Sequence, residues 1–155
     1  IGKKIRLVTR GRVTGGAGVC DALKGGIVLD LSTLDEIVEI DDPSIQVIVR
    51  PGVIHAQLNQ EVSKYKLFFP PDPGSSQMCT IVGMVANNAS GLRAVKYGCT
   101  EQYILGMEVV LPNGEVITTG GVKDRCIKNV SGLNLTKLMV GSERVLGILT
   151  RSRLR

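Results

Sequence analysis

The sequence predicts an α+β fold rich in strands, and three observations carry that prediction. Short Ile- and Val-rich runs recur through the first third, one later stretch carries a helical stripe, and the mixture lacks the repeating βαβ rhythm of a doubly wound sheet. The runs are Ile5–Thr9, Ile27–Leu31, Glu36–Ile40 and Ile45–Val49, the later ones separated by Ser32-Thr33 and Asp41-Asp42-Pro43-Ser44. Their spacing predicts strands of one sheet. Alternation in the last places Ile45, Val47 and Val49 on one face, with Gln46 and Arg50 on the other.

The pattern then changes. Ile54, Leu58, Val62 and Tyr65 form the stripe of an amphipathic helix that begins after Pro51-Gly52 and ends before Phe69-Pro70-Pro71-Asp72-Pro73-Gly74. The small residues of Gly83–Gly91 suit a short, closely packed helix. Ile104–Leu111 and Glu115–Thr119 flank Pro112-Asn113-Gly114, and Asn-Gly between two β-rich runs is the strongest hairpin signal in the chain. Asn134 can cap a short helix whose Leu135, Leu138 and Met139 share a face. Ile148–Leu154 closes as a strand. The 155 residues most simply make one domain, and 43% hydrophobic content supplies its core.

Charge is misleading until it is placed. The formal net charge is +5. Residues 1–12 hold five basic residues and no acid, residues 144–155 hold four, and the body between has 10 basic against 14 acidic. A mildly acidic body with basic ends is not a basic groove, and five aromatics are too few for base stacking. Nucleic acid is therefore not an expected partner. No apolar run approaches the roughly 20 residues that span a bilayer. No charged segment leads into an apolar signal core. Cys20, Cys79, Cys99 and Cys126 form no C-x-x-C pair, and with His55 alone no metal site is expected. Reduced thiols in a cytoplasmic protein are the economical reading. Three N-x-[ST] sequons, at Asn88, Asn129 and Asn134, read as accidental without a secretory signal.

Two segments point to a ligand. Arg10-Gly11-Arg12-Val13-Thr14-Gly15-Gly16-Ala17-Gly18 follows the first strand directly, and glycine-rich backbone lets N–H groups converge on an anion. It is not a P-loop, because Ala17-Gly18 follow Gly16. Nor is it a G-x-G-x-x-G fingerprint, because Asp21 stands at the last position. Spacing alone leaves an ordinary connection equally open. The second segment, 70–91, is long, small and polar, with prolines fixing its start, which suits a ligand lining better than a linker. Gly141-Ser142-Glu143-Arg144-Val145-Leu146-Gly147-Ile148 reads as a turn entering a strand. His55, near a helix start, reads as solvated or capping. No catalytic arrangement can be argued from one histidine.

In order along the chain, these segments resemble the FAD-binding (PCMH-type) domain of the vanillyl-alcohol oxidase flavoproteins, in the glycolate oxidase and D-lactate dehydrogenase-like branch. The most specific parts are Phe69–Gly91, Arg93–Gly98, Leu105–Gly114, Lys128–Gly132, Leu135–Leu138 and Gly141–Glu143. The resemblance implies a mixed sheet with flanking helices and covers essentially all of residues 1–155. It implies a domain incomplete at its N-terminus and lacking a C-terminal substrate domain. Gly11, Thr14, Gly15, Gly16, Ala17 and Gly18 would hold the FAD pyrophosphate. Ser75, Thr80, Gly83, Asn87 and Ser90 would lie along the flavin and its diphosphate, and Gly147 and Ile148 would approach from the closing strand.

The implied chemistry is oxidation of a small 2-hydroxy acid, of glycolate or D-lactate type, by hydride transfer to flavin N5. FAD is expected to be non-covalent, since His55 does not match the family's attachment positions. Partner subunits carrying iron–sulfur clusters occur in the resembling group. Catalytic residues are expected outside the chain, so these residues alone are not expected to turn over substrate. Arg12, Val13, Val19, Val82 and Arg144 depart from small or glycine residues usual at these positions. They keep open an alternative: a diverged, non-catalytic domain with weak or no FAD binding that serves as a binding or assembly module.

Overall fold

A computed structural model describes residues 5–15, 22, 25–122, 126–128 and 130–155. The first two strands, β1 (Leu7–Arg10) and β2 (Ile27–Asp30), pair in parallel in register Leu7 with Ile27. Arg10 Nε donates to the Asp30 carboxylate at 3.1 Å and ties their ends together. The remaining strands are β3 (Ile37–Asp41), β4 (Gln46–Val49), β5 (Ile104–Val110), β6 (Val116–Gly120) and β7 (Ile148–Leu154). They form a second sheet in the order β3-β4-β7-β5-β6, every pair antiparallel.

The expectation that the first four runs share one sheet is therefore corrected. Asp42–Ile45 turns the chain back on itself, so β3 and β4 make a hairpin, and the long-range partner of β4 is the closing strand β7. Ile45 is not a strand residue: it ends that turn in the left-handed region (φ 53°) and is exposed. All four residues of β4 are buried, Gln46 included, because the strand is covered on both faces.

Among the described residues the helices are α1 (His55–Ser63), α2 (Ile81–Asn87), α3 (Ala94–Tyr97) and α4 (Leu135–Met139), with one 3-10 turn at Thr100–Tyr103. The stripe on α1 buries Leu58 and Val62, whereas Tyr65 lies beyond the helix end and is half exposed. Val53, Leu58, Ile81, Met84 and Val85 pack with Val49, Met107, Val109 and Leu154 of the sheet to form the core. The Asn-Gly hairpin forms between β5 and β6, with Gly114 alone taking positive φ (87°) in the connecting loop. Asn134 does cap α4, its side chain accepting from Lys137 N at 3.0 Å. Of the three residues sharing its apolar face, Met139 packs against the core while Leu135 and Leu138 are exposed, and Thr136 points inward to Thr119 of β6, 2.8 Å away.

Candidate functional site

The glycine-rich segment leaves β1 and runs against the start of α2. A Cβ on Gly11 would collide with the Thr80 side chain, and one on Gly15 would stand 3.4 Å from Asn87 Nδ2. Thr80 is buried at the N-cap of α2, where its Oγ1 accepts from Gly83 N at 3.3 Å. The polar segment before it is pinned to the start of α1, where His55 N donates to Cys79 O and Ala56 N to Ser76 O, and Ile81 N at the start of α2 donates to Val53 O. Buried backbone donors are thus paired by neighbouring loops.

His55 is a main fastener of that segment. It is 2% exposed, not solvated as its position suggested. Asn59 Oδ1 accepts from Phe69 N at 2.7 Å, which fixes the amide so that Asn59 Nδ2 faces His55 Nε2 at 3.0 Å. An amide nitrogen only donates, so Nε2 accepts and Nδ1 carries the proton toward Ser76 Oγ, 2.7 Å away. Burial holds this imidazole below its ordinary pKa, which keeps it neutral.

These contacts leave a cleft between the loop after β1 and the face of α2. Its walls carry Gly11, Thr14, Gly15, Ser75, Thr80, Gly83 and Asn87, seven of the residues anticipated from sequence. Gly16, Ala17 and Gly18 lie outside the described residues. Ser90 stands beyond the end of α2 and is exposed, off the cleft. Gly147 lines a neighbouring, mostly apolar cavity, where a Cβ would meet Val109 and Val110 of β5, and Ile148 lines neither space.

Residues not assigned to the site from sequence complete the cleft: Arg12, Val13, Pro73, Cys79, Met84, Ala89 and Arg144. Cys79, Met84 and Ala89 belong to the small-residue segment already singled out. Arg144 comes from the turn before β7. Gly141 N and Glu143 N donate to Val85 O and Ala86 O of α2, so the turn is seated on that helix. Arg144 itself takes φ 71°, and its Nη1 donates to Thr9 O of β1 at 2.9 Å. A non-glycine residue held there costs about 1–3 kcal/mol. Val13 is left-handed too, at φ 50°. Val82, another departure from glycine, is helical and buried in α2.

The donor set fits the diphosphate of a dinucleotide. The lining offers hydroxyls, an amide, small residues that permit close backbone approach and two guanidinium groups, and no carboxylate among the described residues. Cys79 has its thiol pushed up by burial, so it stays protonated and is a poor nucleophile. Among the described residues no group of His, Cys, Asp or Glu could hold a metal ion.

Comparison with known proteins agrees with this geometry. The family model of the FAD binding domain matches residues 2–120, and the chain belongs to that family, whose cofactor is FAD. It is 42% identical over 149 residues to glycolate oxidase subunit GlcD of Bacillus subtilis, covering 96% of this chain and 31% of that protein. It is 40% identical over 152 residues to D-lactate dehydrogenase of Anaerostipes hadrus, covering 98% and 31%. Further relatives, from Mycobacterium tuberculosis, are named as FAD-linked oxidoreductases at 34% identity over 146 residues. The chain spans about a third of their length. A solved structure of alkyldihydroxyacetonephosphate synthase superposes with a TM-score of 0.81 at 20% identity, over 97% of this chain and 28% of that one, which shows the fold.

Proposed function

We propose that this chain is the FAD-holding part of an oxidoreductase that oxidises a small 2-hydroxy acid of glycolate or D-lactate type. The carrying observation is the cleft itself: residues from three distant segments meet there in a lining suited to a diphosphate. Gly11, Thr14 and Gly15 would face that diphosphate, with Ser75, Thr80, Gly83 and Asn87 on the opposite wall. Bound FAD would supply the electron sink, taking hydride from the substrate C2–H at flavin N5 while a base takes the hydroxyl proton and C2 becomes a carbonyl. The chain's own residues would bind and orient the cofactor, and the substrate-binding groups and base would come from sequence outside it.

Attachment is read as non-covalent. Both His55 ring nitrogens are engaged away from the cleft, and Cys79 is held as the thiol. A cytoplasmic setting is proposed on the sequence alone, whose four cysteines form no C-x-x-C pair. Assembly with a partner subunit draws support from relatives that are named as subunits, and an iron–sulfur partner is the form of it that the family resemblance implies. The test of activity uses the encoded protein at its full length. Anaerobic D-lactate or glycolate should bleach its flavin absorbance, and a flavin that no 2-hydroxy acid bleaches would overturn the assignment.

A second reading is favoured by one observation. The cleft has a volume of about 120 Å³ with Val13 and Arg144 in its walls. Ordinary small-molecule pockets begin at roughly 300 Å³. A diverged module with weak or no FAD binding would leave such a cleft closed, and direct FAD titration separates the two readings.

A further inference from the structure

Two cations meet at this cleft from opposite ends of the chain. Arg12 rides the loop after β1 and is exposed, while Arg144 is seated on α2 by the Gly141 and Glu143 backbone bonds. One guanidinium nitrogen of Arg144 is spent on Thr9 O. A second nitrogen of the group, Nη2, lies 4.0 Å from where a Cβ on Gly83 would sit, at the cleft wall. Arg144 also lines the apolar cavity beyond, so it stands where the two spaces adjoin. Both Val13, beside Arg12, and Arg144 hold left-handed backbone that glycine would adopt without strain. Strain of this kind, held at a cleft with no lining carboxylate among the described residues, is what a ligand-facing role would explain.

We propose that Arg12 and Arg144 form a two-sided cationic clamp on the diphosphate of the bound dinucleotide, adding charge to the hydroxyl and backbone contacts of the cleft. The inference rests on the reading of this cleft as the FAD site. Its consequence is a cofactor affinity that depends on ionic strength, because the clamp pairs two partly exposed cations with two phosphate charges.

Arg144→Gly is the informative variant, since glycine relieves φ 71° and should leave the fold intact. Dissociation constants for FAD and for ADP are measured by calorimetry at low and high salt. The wild-type chain should bind both, more weakly as salt rises. Arg144→Gly and Arg12→Ser should each weaken both ligands by about tenfold at low salt and flatten the salt dependence. Arg144→Lys should recover part of the affinity and the salt dependence. Unchanged or tighter binding in Arg144→Gly, with wild-type binding intact, would overturn the clamp and leave the FAD site standing. A wild-type chain that binds neither FAD nor ADP would overturn both.

Discussion

At the scale of single residues, the cleft depends on what is missing as much as on what is present. Gly11 lacks the Cβ that would drive into Thr80, and Thr80 in turn caps α2. Gly11→Ala should therefore push the loop off the helix, lower stability by about 1–3 kcal/mol and weaken FAD binding together with it. Thermal unfolding and FAD titration of the same preparation check both effects; a variant with wild-type stability and affinity would contradict the packing argument. The glycine-rich and proline-led segments were legible in the sequence because each is contiguous and its chemistry local. The place of Arg144 was not. Its motif reads as a turn entering a strand, which it is, and only the seating of Gly141 and Glu143 on α2 carries the side chain to the cleft.

Among elements, the fastening of segment 69–80 to α1 through His55 makes a specific prediction. Burial depresses the His55 pKa from its ordinary 6.5, so the unfolded chain takes up a proton before the native one does. The linkage therefore adds stability above about pH 6.5 and withdraws it as pH falls toward the lower native value. The urea midpoint should drop between pH 7 and pH 5, and the drop should be shallower in His55→Asn. An equal drop in both proteins would show that other groups dominate. Strands, hairpin and helix stripe were legible because their signals are periodic or local, and the closing strand falls where its pattern placed it. The division into two sheets was not, since pairing of β4 with β7 joins residues about a hundred apart. The exposure of Leu135 and Leu138 on α4 was not legible for a related reason: periodicity says which residues share a face, not which face meets the sheet.

For the whole molecule, the arginines of the last segment belong to the architecture. Arg153 is 3% exposed, donating from Nε and Nη2 to Val122 O and from Nη1 to Gln46 Oε1, with Glu39 3.8 Å away. It joins β7 to β4, β3 and the end of the β5–β6 hairpin, so part of the chain's positive charge is spent inside the fold. Arg153→Met should cost at least about 2 kcal/mol, because buried acceptors lose a charged donor, and denaturant unfolding measures it. A loss below half that would mean the surroundings re-pair easily. Whether this cleft holds FAD is measured by adding FAD to the purified chain and desalting it. A flavin absorbance retained near one equivalent, and released as intact FAD on denaturation, is the predicted result. A colourless chain that leaves the fluorescence of added FAD unchanged would contradict it.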